Sequence, residues 1–169
     1  MIELIRATPA QEPILANLIE LYAHDFSEFH AIDLGEDGRY GYKQLPLYWI
    51  EADRHPFLIR VDGKLAGFVL VKRESDSAAW DMAEFFVARA YRRRGIGIEA
   101  AHEVWRRFPG PWQVRVMEAN RSGYPFWERA IAAFTGQAIQ ASRLQRDGRW
   151  WRVFSFESSL GKSHANLRA

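Results

Sequence analysis

Two groups of residues in this chain have the types and spacing for chemistry. The first is Arg92-Arg93-Arg94-Gly95-Ile96-Gly97. Its glycines let the backbone turn tightly and present N–H groups without interference from a Cβ. Where such a loop opens a helix, the helix's orphan amides and positive dipole end join those donors. Three adjacent guanidiniums add cationic attraction, so the expected ligand is a pyrophosphate. The second is Glu84, set in the apolar run Met82-Ala83-Glu84-Phe85-Phe86-Val87. A carboxylate there is costly unless it is solvated or paired. It is therefore either a group that handles a proton or an edge glutamate held by an arginine.

Elements that would position these residues can be read on either side. The aromatic and β-branched run ending at Val87 suits a mostly buried strand. After the loop, Gly97, Ala101, Val104, Trp105 and Phe108 recur at helical spacing, with Glu99, His102, Glu103 and Arg106 on the other face. Upstream, Ile2 to Ala7 reads as a strand. A helix then opens at Thr8 or Pro9 and carries the stripe Ile14, Leu15, Leu18, Ile19 and Tyr22. Residues 24 to 47 are broken by Gly35, Gly38, Gly41 and Pro46, with Phe26, Phe29, Tyr40 and Tyr42 among acids. That segment is expected either to line a cleft for a cationic substrate or to cap the sheet edge. A short helix follows over 47–53.

Pro56 to Val61 and Lys64 to Lys72 form a hairpin across Asp62-Gly63, and a turn over 75–78 leads to the strand at Val87. Trp112 to Met117 is a strand, Asn120 to Gly123 caps a helix running to about Phe134, and 137–144 with 150–157 form a last strand pair. The order β-α-α-β-β-β-α-β-α-β-β predicts an α+β fold: a mixed, largely antiparallel central sheet with a β-α-β core. Residues 1–157 form one domain and 158–169 a flexible tail.

Composition excludes several functions. The chain has 169 residues, 48% of them hydrophobic and 14% aromatic, enough for one packed core. Without cysteine there is no disulfide, thiolate metal site or cysteine nucleophile. A net charge of +2 is too balanced to imply nucleic acid. Glu99, His102 and Glu103 share helical spacing, but no complementary cluster completes a metal site, so no metal is expected. The N-terminus lacks an apolar signal core, and no run is long enough to span a membrane. A soluble, cytoplasmic protein is expected, with a homodimer left open.

Arg92-x-x-Gly95-x-Gly97, entered through Val87 and Tyr91, resembles the acetyl-CoA pyrophosphate loop of the GNAT superfamily of N-acetyltransferases. Arg89 stands where that family often has proline, and Arg93 where a further glycine is common. Downstream, Asn120, Gly123, Phe126 and Trp127 resemble the second signature of the same family. The element order agrees too, so the resemblance runs from residue 1 to about 157.

It implies an acetyl-CoA-binding β-α-β core and direct acetyl transfer from acetyl-CoA to a primary amine of a small molecule or protein. The cofactor would lie against Phe86, Val87, Arg92, Arg93, Arg94, Gly95, Ile96, Gly97, Asn120 and Trp127. The amides of 92–97 would hold the pyrophosphate, and the Val87 amide would meet the thioester oxygen. Glu84 matches the place of a catalytic glutamate, which would take the ammonium proton. Trp127 occupies a position where a tyrosine often protonates the departing thiolate, and indole is too weak an acid for that. Tyr124, three residues earlier, is the candidate acid, or else packs at the helix start.

Two other classes compete. Gly95-x-Gly97-x-x-Ala100 with Glu118 also matches a dinucleotide-binding fingerprint. The strand ends too far before Gly95 for that fold, and too little chain remains for a doubly wound sheet. The other is a non-catalytic CoA-binding or nucleic-acid-binding module with a basic loop.

Overall fold

The computed structural model of the protein describes residues 1–73 and 77–159. In chain order its elements are β1 (Ile2–Arg6), α1 (Glu12–Phe26), β2 (Arg54–Val61), β3 (Lys64–Arg73), β4 (Trp80–Val87), α2 (Ile96–Arg107), β5 (Gly110–Met117), α3 (Gly123–Thr135), β6 (Ser142–Arg146) and β7 (Arg149–Ser158). The strands form one sheet in the order β1-β2-β3-β4-β5-β7-β6, antiparallel except for the β4–β5 pair. This is the mixed α+β architecture expected, with α2 as the crossover between its two parallel strands.

Local chemistry explains most boundaries. Both Asp-Gly turns have positive φ at each residue, 50° and 75° at Asp62-Gly63 and 52° and 72° at Asp147-Gly148, as tight hairpins require. Thr8 and Gln11 form a capping box over a 3-10 turn, Pro9–Gln11, that leads into α1. The helix expected over 47–53 is instead a single 3-10 turn, Leu45–Trp49, where Leu45 and Tyr48 bury at i,i+3 spacing. The strand expected over 137–144 starts only at Ser142. The cap expected over Asn120 to Gly123 is in place: α3 starts at Gly123, and the Asn120 Oδ1 accepts from the Gly123 amide at 2.8 Å. Of the expected tail, Ser158 still belongs to β7, and its hydroxyl donates to the Trp105 carbonyl. Residues 160–169, and 74–76 in the turn before β4, lie outside the described residues.

Helices cover both faces of the sheet. Leu15, Leu18 and Ile19 of α1 pack with Leu58, Phe68, Leu70 and Phe86. On the other face, Ala101, Val104 and Trp105 of α2 and Trp127, Ala130 and Ile131 of α3 pack with Val69, Val71, Val114 and Phe154. Two irregularities then create the site. Leu70 pairs with Glu84 but Val71 with Met82, so Ala83 is a bulge residue. A bulge bends its strand and reverses the alternation beyond it. Glu84 thereby falls on the α1 face beside Leu70, and Phe85 on the α2–α3 face. The strands β4 and β5 pair only at Trp80–Trp112 and Asp81–Gln113, leaving an opening between their C-terminal halves.

Candidate active site

That opening is part of a cleft of about 500 Å³, whose lining includes Tyr22, Tyr42, Glu84, Arg115, Trp127 and Trp151. Beyond the end of β4, and outside that lining, the chain passes through a 3-10 turn, Arg89–Tyr91, and enters α2 with Gly95 as N-cap. The Arg92 amide is spent locally on the Arg89 carbonyl at 3.2 Å, and the Glu99 amide on Gly95 at 3.0 Å. Among the described residues, no acceptor takes the amides from Arg93 to Ile98. The donor run expected over 92–97 is therefore displaced by one residue. Arg93 and Gly95 adopt left-handed conformations, φ 61° and 78°. Arginine in that region carries steric strain that glycine does not.

The guanidiniums divide into two groups. Arg89 and Arg92 turn back to Asp25 at the end of α1, Arg89 at 2.6 Å. Burial alone would raise the Asp25 pKa, but the two guanidiniums hold it below the usual carboxylate range. Arg92 also donates to the Val87 carbonyl at 2.7 Å. These two arginines brace the loop against α1. Arg93 and Arg94 are exposed and bound to no acid among the described residues, which leaves them as its anion-attracting charges.

The Val87 amide faces the opening. Ala88 donates to Ala66 at 2.8 Å, which makes Ala66–Ala88 a hydrogen-bonded pair. Bonded and non-bonded pairs alternate along an antiparallel ladder, so Gly67–Val87 is non-bonded and the Val87 N–H points away from β3. At that depth β5 offers it no partner.

Glu84 faces the cleft floor. The Tyr42 hydroxyl donates to its Oε1 at 3.1 Å. Burial raises its pKa, opposed by the Tyr22 and Tyr42 hydroxyls; Asp81 adds to the rise and Arg115 opposes it. Asp81 is fully buried and meets Arg115 at 2.5 Å and Lys72 at 3.9 Å.

Other expected residues are placed less directly. Phe86 packs in the α1 core, so only its backbone is available to a ligand. Gly97 faces the rings of Phe126 and Phe85 rather than open space. Trp127 and Asn120 line the cleft, and Trp127 lies 5.0 Å from the Phe85 ring. Tyr124 is not in the lining; its ring lies 5.3 Å from that of Phe154. Asp25, Tyr22 and the Lys72–Asp81–Arg115 group were not anticipated. Asp25 and Tyr22 lie on a helix whose stripe read as core, and the alternation of β3 to β5 was the one signal that could have grouped the other three.

The model of the Acetyltransferase (GNAT) family matches residues 15–132. A comparison with curated protein sequences finds no match. Among solved structures, an acetyltransferase from Thermus thermophilus superposes with a TM-score of 0.68 at 15% identity, covering 93% of this chain and 97% of that one. The ribosomal-protein-S18-alanine N-acetyltransferase of Escherichia coli gives 0.59 at 16% identity, with 99% and 100% covered. Spermidine N-acetyltransferase of Vibrio cholerae, in complex with CoA and spermine, gives 0.63 at 11% identity, with 93% and 95% covered. These similarities are similarities of fold.

Proposed function

The chain belongs to the GNAT family of acetyltransferases, and from that premise we propose that it moves an acetyl group from acetyl-CoA directly to a primary amine. The observation that carries this reading is the succession of three features along the C-terminal half of β4 and the start of α2, where the sheet opens. They are the unengaged amides of 93–98, the outward Val87 amide and the Glu84 carboxyl.

A pyrophosphate fits the cradle because it meets consecutive N–H donors at the start of a twelve-residue helix, with Arg93 and Arg94 nearby. When bound, acetyl-CoA supplies a thioester: the amine nitrogen bonds to its carbonyl carbon, the C–S bond breaks, and CoA leaves as a thiolate. The Val87 N–H is the donor for the oxygen on which negative charge develops. Glu84 accepts the proton that an alkyl ammonium must lose before it can attack. Its raised pKa makes it a stronger base than an ordinary carboxylate. The thiolate is a tolerable leaving group, with a thiol pKa of roughly 8–9, so the reaction does not require an acid at Tyr124. The expected setting for this reaction is the cytoplasm. The described residues contain no helix long and apolar enough to cross a membrane.

The test is CoA release over a panel of amines, followed by pH–rate profiles of the wild type and Glu84→Gln with an accepted amine. Turnover of the variant should fall by roughly 10²–10⁴-fold near neutral pH. The deficit should shrink as pH approaches the amine's own pKa. A folded variant with a wild-type profile removes Glu84 as the base.

A further inference from the structure

Between α1 and the Leu45–Trp49 turn, the segment 27–44 crosses the cleft with no regular secondary structure. Gly38 and Gly41 have φ of 74° and 71°, and most side chains from 31 to 39 are exposed. Such a segment has little apolar packing to fix it. Tyr42, near its end, packs against the α1-side core, and just ahead of Tyr42 the backbone is held by α1. The Glu20 carboxylate on α1 accepts the Tyr40 amide at 2.7 Å and the Gly41 amide at 2.9 Å, one on each oxygen. One turn further along α1, His24 Nδ1 lies 3.2 Å from the Tyr40 hydroxyl. The residue after this clamp is Tyr42, whose hydroxyl reaches Glu84 across the cleft.

We propose that Glu20 and Tyr42 are positioning residues for Glu84: Glu20 anchors the segment so that the Tyr42 hydroxyl orients the carboxylate and favours its ionised form. The proposal rests on the reading of Glu84 as the base. Each bond in the chain is charge-assisted or joins a buried group, so each is worth more than an exposed neutral bond. The groups facing Glu84 come from every surrounding element. They are Tyr22 from α1, Tyr42 from the segment, Tyr48 from the 3-10 turn, Asp81 within β4, Arg115 from β5, and Lys72 from β3 through Asp81. Burial, and then the charge of Glu84, raise the pKa values of Tyr22 and Tyr42, and burial and Glu84 do the same for Tyr48. All three therefore stay neutral while Glu84 titrates. Tyr42 then acts as a fixed donor that lowers the cost of the buried carboxylate.

The deciding measurement needs no substrate: ¹³C-carboxyl NMR titration of Glu84 in the full chain. In Tyr42→Phe the Glu84 midpoint should rise, because a donor to the carboxylate is lost. Glu20→Ala should raise it in the same direction, although Glu20 is not among the groups that act on Glu84 directly. The Glu20→Ala/Tyr42→Phe double variant should go no further than Tyr42→Phe. Glu20→Gln, which keeps an amide oxygen as acceptor, should fall between Glu20→Ala and wild type. With an accepted amine, kcat/KM of Tyr42→Phe should drop roughly tenfold at neutral pH and recover at higher pH.

A merely structural Glu20 would lower thermal stability without moving the Glu84 midpoint, and that outcome overturns the proposal. Should the midpoint move while the pH–rate profile does not follow it, the positioning stands and the assignment of Glu84 as base fails.

Discussion

At the scale of single residues, the chemistry is divided between a group visible in the sequence and partners that are not. Glu84 stands out because an acid interrupts an apolar strand, and its exposure to a cleft can be anticipated from that cost. Tyr42 lies 42 residues earlier, and nothing local connects the two. Only the bulge at Ala83, which local pattern does not reveal, turns Glu84 toward the α1 face where Tyr42 can reach it. Tyr124 shows the reverse. Its position near the second signature suggests an acid, yet its ring packs on Phe154 outside the cleft lining. Tyr124→Phe keeps that packing and removes only the hydroxyl. Turnover should therefore change by less than about twofold, while a fall comparable to that of a general-acid deletion, about 10²-fold or more, would place the hydroxyl in the reaction.

At the scale of elements, the basic loop was legible because its donors, glycines and helix are contiguous in sequence. What holds it was not, since Asp25 lies more than sixty residues from Arg89 and Arg92. The same distinction governs the elements themselves. Asp-Gly turns and amphipathic stripes are local signals and appear where expected. The 3-10 turn at Leu45–Trp49 depends instead on how its few residues bury against β2 and β3.

Gly97 was expected to keep a Cβ away from the pyrophosphate. A Cβ there would meet the Phe126 ring at 3.1 and 3.2 Å, and Phe85 at 3.7 Å. The constraint is thus the close approach of α2 to α3. Gly97→Ala should destabilise the fold, the overpacking cost of about 1–3 kcal/mol being offset by up to about 1 kcal/mol of helix propensity, read as a lower denaturant midpoint. Adding Phe126→Leu should recover part of that loss by making room. A Gly97→Ala protein as stable as wild type, yet unable to bind CoA, would return the constraint to the ligand.

At the scale of the whole molecule, the sheet is weakest where it is most useful. The strands β1 to β4 and β5 to β7 are each joined by long antiparallel ladders, with register shifts in β2–β3 and β3–β4, whereas two registered pairs connect β4 to β5. The halves are otherwise held by α2 and α3 packing across the shared core. A ligand lying in the opening and on the start of α2 touches both halves, so it should stabilise the entire fold rather than one loop. For acetyl-CoA at one hundred times its Kd the gain is about 2.7 kcal/mol, which for a chain of this size corresponds to a rise in Tm of roughly 5–10 °C. Hydrogen exchange should slow most at the Val87 amide and at those from Arg93 to Ile98. A basic loop serving nucleic acid predicts a different pattern. It would give no thermal shift with acetyl-CoA, and an oligonucleotide affinity that falls steeply with salt. Thermal shifts with each ligand at two salt concentrations separate these outcomes, and the second pattern would end the acetyltransferase reading of the loop.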